Sequence, residues 1–261
     1  MKNKSSQESN KNELIERGEF NLALPTDGPL VIGADQLDAD SVEIPSLLLM
    51  QPLSDQVSDG THSPGQIVHS LTDQVYEKPL ILPFAIMPTR RMRDGKVTVC
   101  RSRDRITGVG DPGGRCSGCP HTQWINGEPA KCSEGFVFAC YLVEGDEPFP
   151  VAVSMYSTAM KTAKRLNSYI KYSLSQANLS KGRLPAIEMS AKKEQNDKGT
   201  YWLWQVGLGR NLTPDEIRAF LDMRTQFIGV DLKIDDDEVA ETTETIGMTA
   251  TTQVDEDDNP F

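Results

Sequence analysis

The chain of 261 residues lacks any run of about eighteen apolar residues, so no stretch is long enough to cross a bilayer as a helix. Its opening, MKNKSSQESNKNELIERGEF, lacks the apolar core of a secretory signal. A cytoplasmic protein with no membrane partner is expected. Histidine is scarce, with only His62, His69 and His121. No Ser/His/Asp arrangement and no His-Glu-x-x-His helix occurs. The stretch TGVGDPGG (107–114) has the glycines of a phosphate loop but not its Gly-Lys-Ser/Thr ending or a following helix. No catalytic residue is assigned, and an enzyme is not expected.

Positive charge is also short. Lys and Arg number 27 against 38 Asp and Glu, for a net charge of -11. That excess of acid argues against a nucleic-acid partner until its distribution is read. Residues 231–261 hold eleven acids and one base, Lys233. Residues 1–89 hold thirteen acids and five bases, whereas 155–210 hold ten bases and three acids. The charge is segregated, so the middle of an acidic chain can carry a basic face.

Residues 1–40 are polar and acidic, and are expected to be disordered apart from a short helix at NELIERG. Residues 231–261, rich in Thr, Glu and Asp, are expected to be a disordered tail. The folded domain is then 41–230. Strand signals dominate its first half: GQIVHSLTDQVYE, PLILPFAIMPT, GKVTVCRS and GFVFACYLVE are β-branched or aromatic runs bounded by Gly, Pro and Asp. STAMKTAKRLNSYIKYSL then reads as a helix, with Met160, Ala163, Asn167, Ile170 and Leu174 on one face and Ser157 as its cap. Two more strands follow, LPAIEMSAKK and TYWLWQVGL. A last helix has Thr213 as cap, Pro214 in its first turn, Glu216 closing a capping box and Gly229 at its end. Five or so strands with a helix partway through form the element list of a mainly β (α+β) Greek-key barrel with flanking helices. Among nucleic-acid binders the commonest such barrel is the oligonucleotide-binding (OB) fold.

Four of the five cysteines fall at C-x15-C-x2-C-x12-C: Cys100, Cys116, Cys119 and Cys132. The close pair can hold one metal from a single turn, with Gly118 relaxing the backbone. The loop from 100 to 132 is rich in Gly and Pro and has little apolar material of its own. Four thiolates suit one structural Zn²⁺ per chain, which would supply the missing stability. A disulfide is not expected without a secretion signal. A redox C-x-x-C would need a βαβ setting, and a c-type haem would need His where Pro120 stands. His121 is an alternative ligand to Cys100. Cys140, inside FVFACYL, reads as a buried core thiol.

Single-stranded nucleic acid needs cations along a groove and aromatic faces for bases. Arg90, Arg91, Arg93, Lys96, Arg101 and Arg103 cluster around two strands, with Arg105 nearby. Lys161, Lys164, Arg165 and Lys171 lie on the helix, away from its apolar stripe. Tyr156 and Trp124 are interleaved with these cations as stacking candidates. Alternation places Trp202 and Trp204 on one face of their strand, where core packing competes with stacking.

The final residues, DEDDNPF, resemble the acidic Pro-Phe tip of bacterial single-stranded DNA-binding proteins. The resemblance implies that Asp255, Glu256, Asp257, Asp258, Pro260 and Phe261 dock replication and recombination proteins. The body is similar to phage-encoded single-stranded DNA-binding proteins, in LLLMQPLSDQVSDGTHSPGQIVHSLT and CRSRDR…TGVG…CSGCP…W…KC. That resemblance implies an OB-fold barrel with a zinc-binding insertion, with Cys100, Cys116, Cys119 and Cys132 as ligands. It also implies sequence-independent protection of single-stranded DNA in the host-cell cytoplasm. The other expectation is a zinc-ribbon transcription or recombination accessory factor acting through protein contacts.

Overall fold

A computed structural model describes residues 43–95, 97–143, 149–175, 178, 181–197, 199–230 and 232–234. In chain order the elements are β1 (Leu47–Leu49), α1 (Asp55–Ser58), β2 (Ile67–His69), β3 (Val75–Tyr76), β4 (Leu80–Asp94), β5 (Val97–Ser102), β6 (Thr107–Gly110), β7 (Gly114–Arg115), β8 (Cys132–Leu142), β9 (Phe149–Tyr156), α2 (Met160–Ser173), β10 (Pro185–Asn196), β11 (Gly199–Asn211) and α3 (Pro214–Gln226). The protein is mainly β, and all its strand ladders are antiparallel.

β4 organises the sheet. Along one edge it pairs with β8 from Ile81↔Leu142 to Met92↔Cys132. Along the other it pairs first with β10, at Leu80 and Ile81, and then with β5, from Arg90 to Asp94. Its two prolines sit where a missing N–H does little harm: Pro83 beside a bulge, and Pro88 between the β10 and β5 segments. β8 passes the sheet on to β9, and β10 passes it on to β11. Two separate bodies of strand therefore share β4: the barrel strands, and an arm of β5, β6 and β7.

The barrel strands curl around one core. Phe138, Val153, Met155, Ile187, Met189 and Trp204 come from β8, β9, β10 and β11, yet pack together with Ala163, Leu166 and Ile170 of α2. Burying such side chains supplies roughly 1.5–3 kcal/mol each before chain entropy is counted. No ladder joins the end strands β9 and β11 among the described residues. Their gap is filled by β1 and the residues on either side of it. Ser46 bridges Ala152 of β9, whose N–H donates to the Pro45 carbonyl at 2.8 Å. On the other side, the Gln51 Nε2 donates to the Trp202 carbonyl at 2.9 Å and accepts from the Trp202 N–H through Oε1 at 3.0 Å. A side-chain amide thus stands in for a strand partner on the β11 edge.

Several elements differ from the sequence reading. β9 was not expected, although Val151, Val153 and Met155 alternate into the core, because Pro150 and the small Ala152 and Ser154 interrupt its pattern. Helix α2 buries Ala163, Leu166, Ile170 and Ser173. Leu174 is 46% exposed, so the stripe is one residue out of phase with the expected Asn167 and Leu174. Both spacings fit a helix; burial selects the phase that places Leu166 inward in place of Asn167. Ser157 does not cap α2. It has φ 46° and opens a 3-10 turn over Ser157–Ala159, while its hydroxyl donates to Ser133 Oγ at 2.8 Å.

Helix α3 does begin on the capping box of Thr213 and Glu216. It packs Phe220 and Met223 against Leu82, Tyr141 and Ala186 on the outside of the sheet. The packed domain runs beyond the expected boundary at 230. Leu232 and Ile234 are buried with Ile44 and Val137, and the Ile44 N–H donates to the Lys233 carbonyl at 2.8 Å. The segment 1–40, its helix at NELIERG, and the tail from 235 lie outside the described residues.

Candidate nucleic-acid interface and cysteine arm

The arm gathers the four spaced cysteines. Met92 of β4 is the cross-strand neighbour of both Cys132 on β8 and Cys100 on β5, so all three side chains leave the same face. Cys116 follows β7, and its N–H donates to the Ile106 carbonyl at 2.8 Å, extending the β6–β7 ladder. The Cys119 N–H donates to the Cys116 carbonyl at 3.2 Å, closing a turn in which Gly118 takes φ 81°. Gly108 leaves room for Cys100: a Cβ there would stand 3.1 Å from its Sγ.

All four are free, half-buried thiols. Burial pushes the Cys132 thiol above its ordinary range, the Arg90 guanidinium opposes that shift, and Cys100, Cys116 and Cys119 add to it. The four sulfurs therefore share one electrostatic neighbourhood. Among the described residues, no three His, Cys, Asp or Glu side chains form an assembled metal site. The donor set fits a tetrathiolate in number and chemistry. Cys140 lies apart, fully buried in the barrel core, with its thiol against the Phe138 carbonyl at 3.4 Å. His121 is in a 3-10 turn, Pro120–Thr122, and lines a hollow with Ile125 and Pro129.

The arginines separate by strand alternation. Arg90 faces the Cys132 side and ion-pairs with Glu134. Arg91 faces the other side with its cross-strand neighbour Arg101, and its guanidinium lies 4.0 Å from the centre of the Tyr156 ring. Arg93 is exposed, and Arg101 and Arg103 are half-buried. Arg105 is structural: it stacks on Phe136 at 4.3 Å and donates to the carbonyls of Gly135 and Thr89 at 2.5 and 3.3 Å. Trp124, on the arm, is 72% exposed and does not reach the Tyr156 cleft. Lys96 lies outside the described residues, as do Asp255, Glu256, Asp257, Asp258, Pro260 and Phe261.

A cleft of about 520 Å³ opens between β1, β9 and β11. Leu49, Gln51, Arg91, Tyr156, Asn196 and Trp202 are among its walls. Trp204 is buried in the core, whereas Trp202 is half-buried at the cleft. The Trp202 indole lies flush against Gly65, where a Cβ would come within 2.1 Å of Nε1. Lys193 Nζ stands 5.6 Å from the centre of the indole. The cleft thus holds two aromatic rings: Arg91, in its wall, faces Tyr156, and Lys193, outside the wall, stands near Trp202. Gln51, Lys193, Asn196 and Trp202 were not assigned from sequence. Alternation along β10 and β11 could have paired Lys193 with Trp202, but nothing local ties Gln51 to a strand 151 residues away.

On α2, Lys161, Lys164, Arg165 and Lys171 are all exposed. Lys161 and Arg165, one turn apart, line a second cleft of about 500 Å³ against β10 and β11; Lys164 and Lys171 do not. Compared with family models, with curated proteins and with solved structures, the chain matches none.

Proposed function

We propose that this chain binds single-stranded DNA without sequence preference, through the cleft between β1, β9 and β11. The observation that carries the reading is two aromatic rings in one groove, Tyr156 and Trp202, with Arg91 in its wall over Tyr156 and Lys193 near Trp202 beside it. Bases stack on such rings whatever their identity, and the cations meet the phosphates between them. Chemistry on the DNA is not part of the proposal.

The strand order supports an OB fold. β4, β8 and β9 follow one another in space, whereas β10 returns across α2 to pair with β4, as in a Greek key. In an OB fold the second and third strands and the loops after the first and fourth strands bind nucleic acid. Here those loops would be the cysteine arm and the turn between Asn196 and Gly199; of their residues, Asn196 lines the cleft.

Cys100, Cys116, Cys119 and Cys132 would hold one Zn²⁺ per chain. When bound, the ion would supply a structural cross-link, since four thiolates leave no open position for water. The resemblance to phage single-stranded DNA-binding proteins extends the proposal to replication or recombination in a host cytoplasm, with partners docked on Asp255–Phe261. A protein-contact accessory factor is the second reading, and exposed Trp124 favours it. A salt titration of oligo-dT binding, run beside duplex DNA, separates the two. Tight, salt-sensitive binding that prefers the single strand supports the proposal. Absent binding, or preference for duplex, overturns it.

A further inference from the structure

Three clefts follow one another along the hairpin of β10 and β11. The first, about 430 Å³, holds Pro52 and Leu53 and shares Gln51, Asn196 and Tyr201 with the central cleft. The central cleft shares Leu203 and Trp204 with the one beside α2. They span residues 199–207 of β11, roughly 25 Å of strand at about 3.3 Å per residue.

Their chemistry changes along the way. Among the described residues the first cleft has no charged wall, and Leu53 stands 87% exposed beside it. The central one has, among the described residues, a single charged wall residue, Arg91. The last has Lys161, Arg165 and Lys192 together with Glu188 and Glu194. Those carboxylates are already matched, since Lys78 stands 3.9 Å from Glu188 and Lys192 ion-pairs with Glu194. Among the described residues neither Lys161 nor Arg165 has a carboxylate partner. Arg165 donates only to the uncharged Tyr169 hydroxyl, at 2.8 and 3.1 Å. Thr162 Oγ1 donates to the Trp204 carbonyl at 2.9 Å, which fixes this turn of α2 against β11.

We infer that a bound strand leaves the aromatic cleft across Trp204 and continues under α2, where Lys161 and Arg165 take the phosphates of its distal nucleotides. This rests on the single-stranded DNA reading and adds a direction and a second contact zone to it. Only the cations facing the cleft belong to the path; Lys164 and Lys171, on the same helix, do not.

The test uses the full chain and oligo-dT of graded length, about 4 to about 16 nucleotides, the span of site sizes for such folds. All four cations are exposed, so their alanine variants should fold. Lys161→Ala with Arg165→Ala should bind the shortest oligonucleotides as the wild type does, and lose several-fold on the longest. Its salt slope should fall by about 1.4 on long DNA alone, for two phosphates at about 0.7 each. Lys164→Ala with Lys171→Ala should show no such length dependence. Equal loss at every length, no loss at any length, or the same pattern in both double variants overturns the path. Failure of the wild type to bind any oligonucleotide is a different result, and sinks the single-stranded DNA reading itself.

Discussion

The Arg91 guanidinium lies 4.0 Å from the centre of the Tyr156 ring, although among the described residues no ladder pairs their two strands. β8 lies between β4 and β9, and Gly135 on it has no side chain to intervene. A Cβ there would stand 2.3 Å from the Tyr156 ring. The glycine lets an aromatic from one neighbour and a cation from the other meet across the middle strand.

Arg91→Ala should weaken oligo-dT binding and reduce its salt slope by about 0.7, the share of one phosphate on a single strand. Tyr156→Leu keeps an apolar side chain but removes the stacking face, and should cost about 1–3 kcal/mol of affinity. Anisotropy of labelled oligo-dT over a salt series measures both. Unchanged affinity in the two variants would remove this pair from the interface.

Reduced, unchelated protein should carry about one Zn²⁺ per chain by metal analysis. Cys116→Ser and Cys100→Ser should lower that content strongly. Cys140→Ser should leave it intact while lowering the melting temperature, because it places a hydroxyl in a fully buried site. Full zinc content in Cys100→Ser, with loss in His121→Ala, would exchange one ligand for the other.

The Glu216 carboxyl is held at about 2 instead of 4.5, chiefly by hydrogen bonds from Arg210; burial opposes the shift, and the Thr213 N–H and hydroxyl reinforce it. The folded chain therefore gives up this proton more readily than the unfolded chain. Its contribution to stability is complete above about pH 4.5 and fades as the pH falls towards about 2. Urea unfolding across that window should show a shallower acid loss in Glu216→Gln. Thr213→Ala should cost about 1 kcal/mol at neutral pH, the usual value of a helix cap. An acid profile unchanged by Glu216→Gln would assign the loss to other carboxylates.

Deleting Asp255–Phe261 removes four acids of the same sign as DNA. Single-stranded DNA binding should tighten slightly, and more at low salt, where screening is weak. Deleting Phe261 alone should leave DNA affinity nearly unchanged and abolish capture of replication or recombination proteins. Capture that survives the loss of Phe261 would end its docking role.

Most strands could be read locally, because β-branched and aromatic runs between Gly, Pro and Asp need no tertiary information. The capping box of α3 was legible for the same reason: Thr213 and Glu216 are three residues apart. The phase of α2 was not, since Leu166 and Asn167 both satisfy a helical period and only the facing core decides between them. The four cysteines announced themselves by spacing, and so did the cationic strands. What each arginine does escaped the sequence. Arg90, Arg91 and Arg105 look alike in a basic cluster, yet one pairs with Glu134, one faces Tyr156 and one braces the Gly135 backbone. The Gln51 clamp was equally invisible, since it depends on how the loop after β1 meets the β11 edge.

The long β4–β8 ladder, bulged near Pro83, has a consequence for how the protein opens. Its rungs run from Ile81↔Leu142 in the barrel to Met92↔Cys132 at the cysteines. Fraying must begin at the arm end, because the barrel end is buried against the core. Amides near Arg91 should exchange hydrogen through that partial opening, and those near Leu82 only through global unfolding. Anything that fastens the cysteine corner would then slow exchange rung by rung towards the barrel. The ladder would act as a gauge on which occupancy of the arm is read at a distance from it.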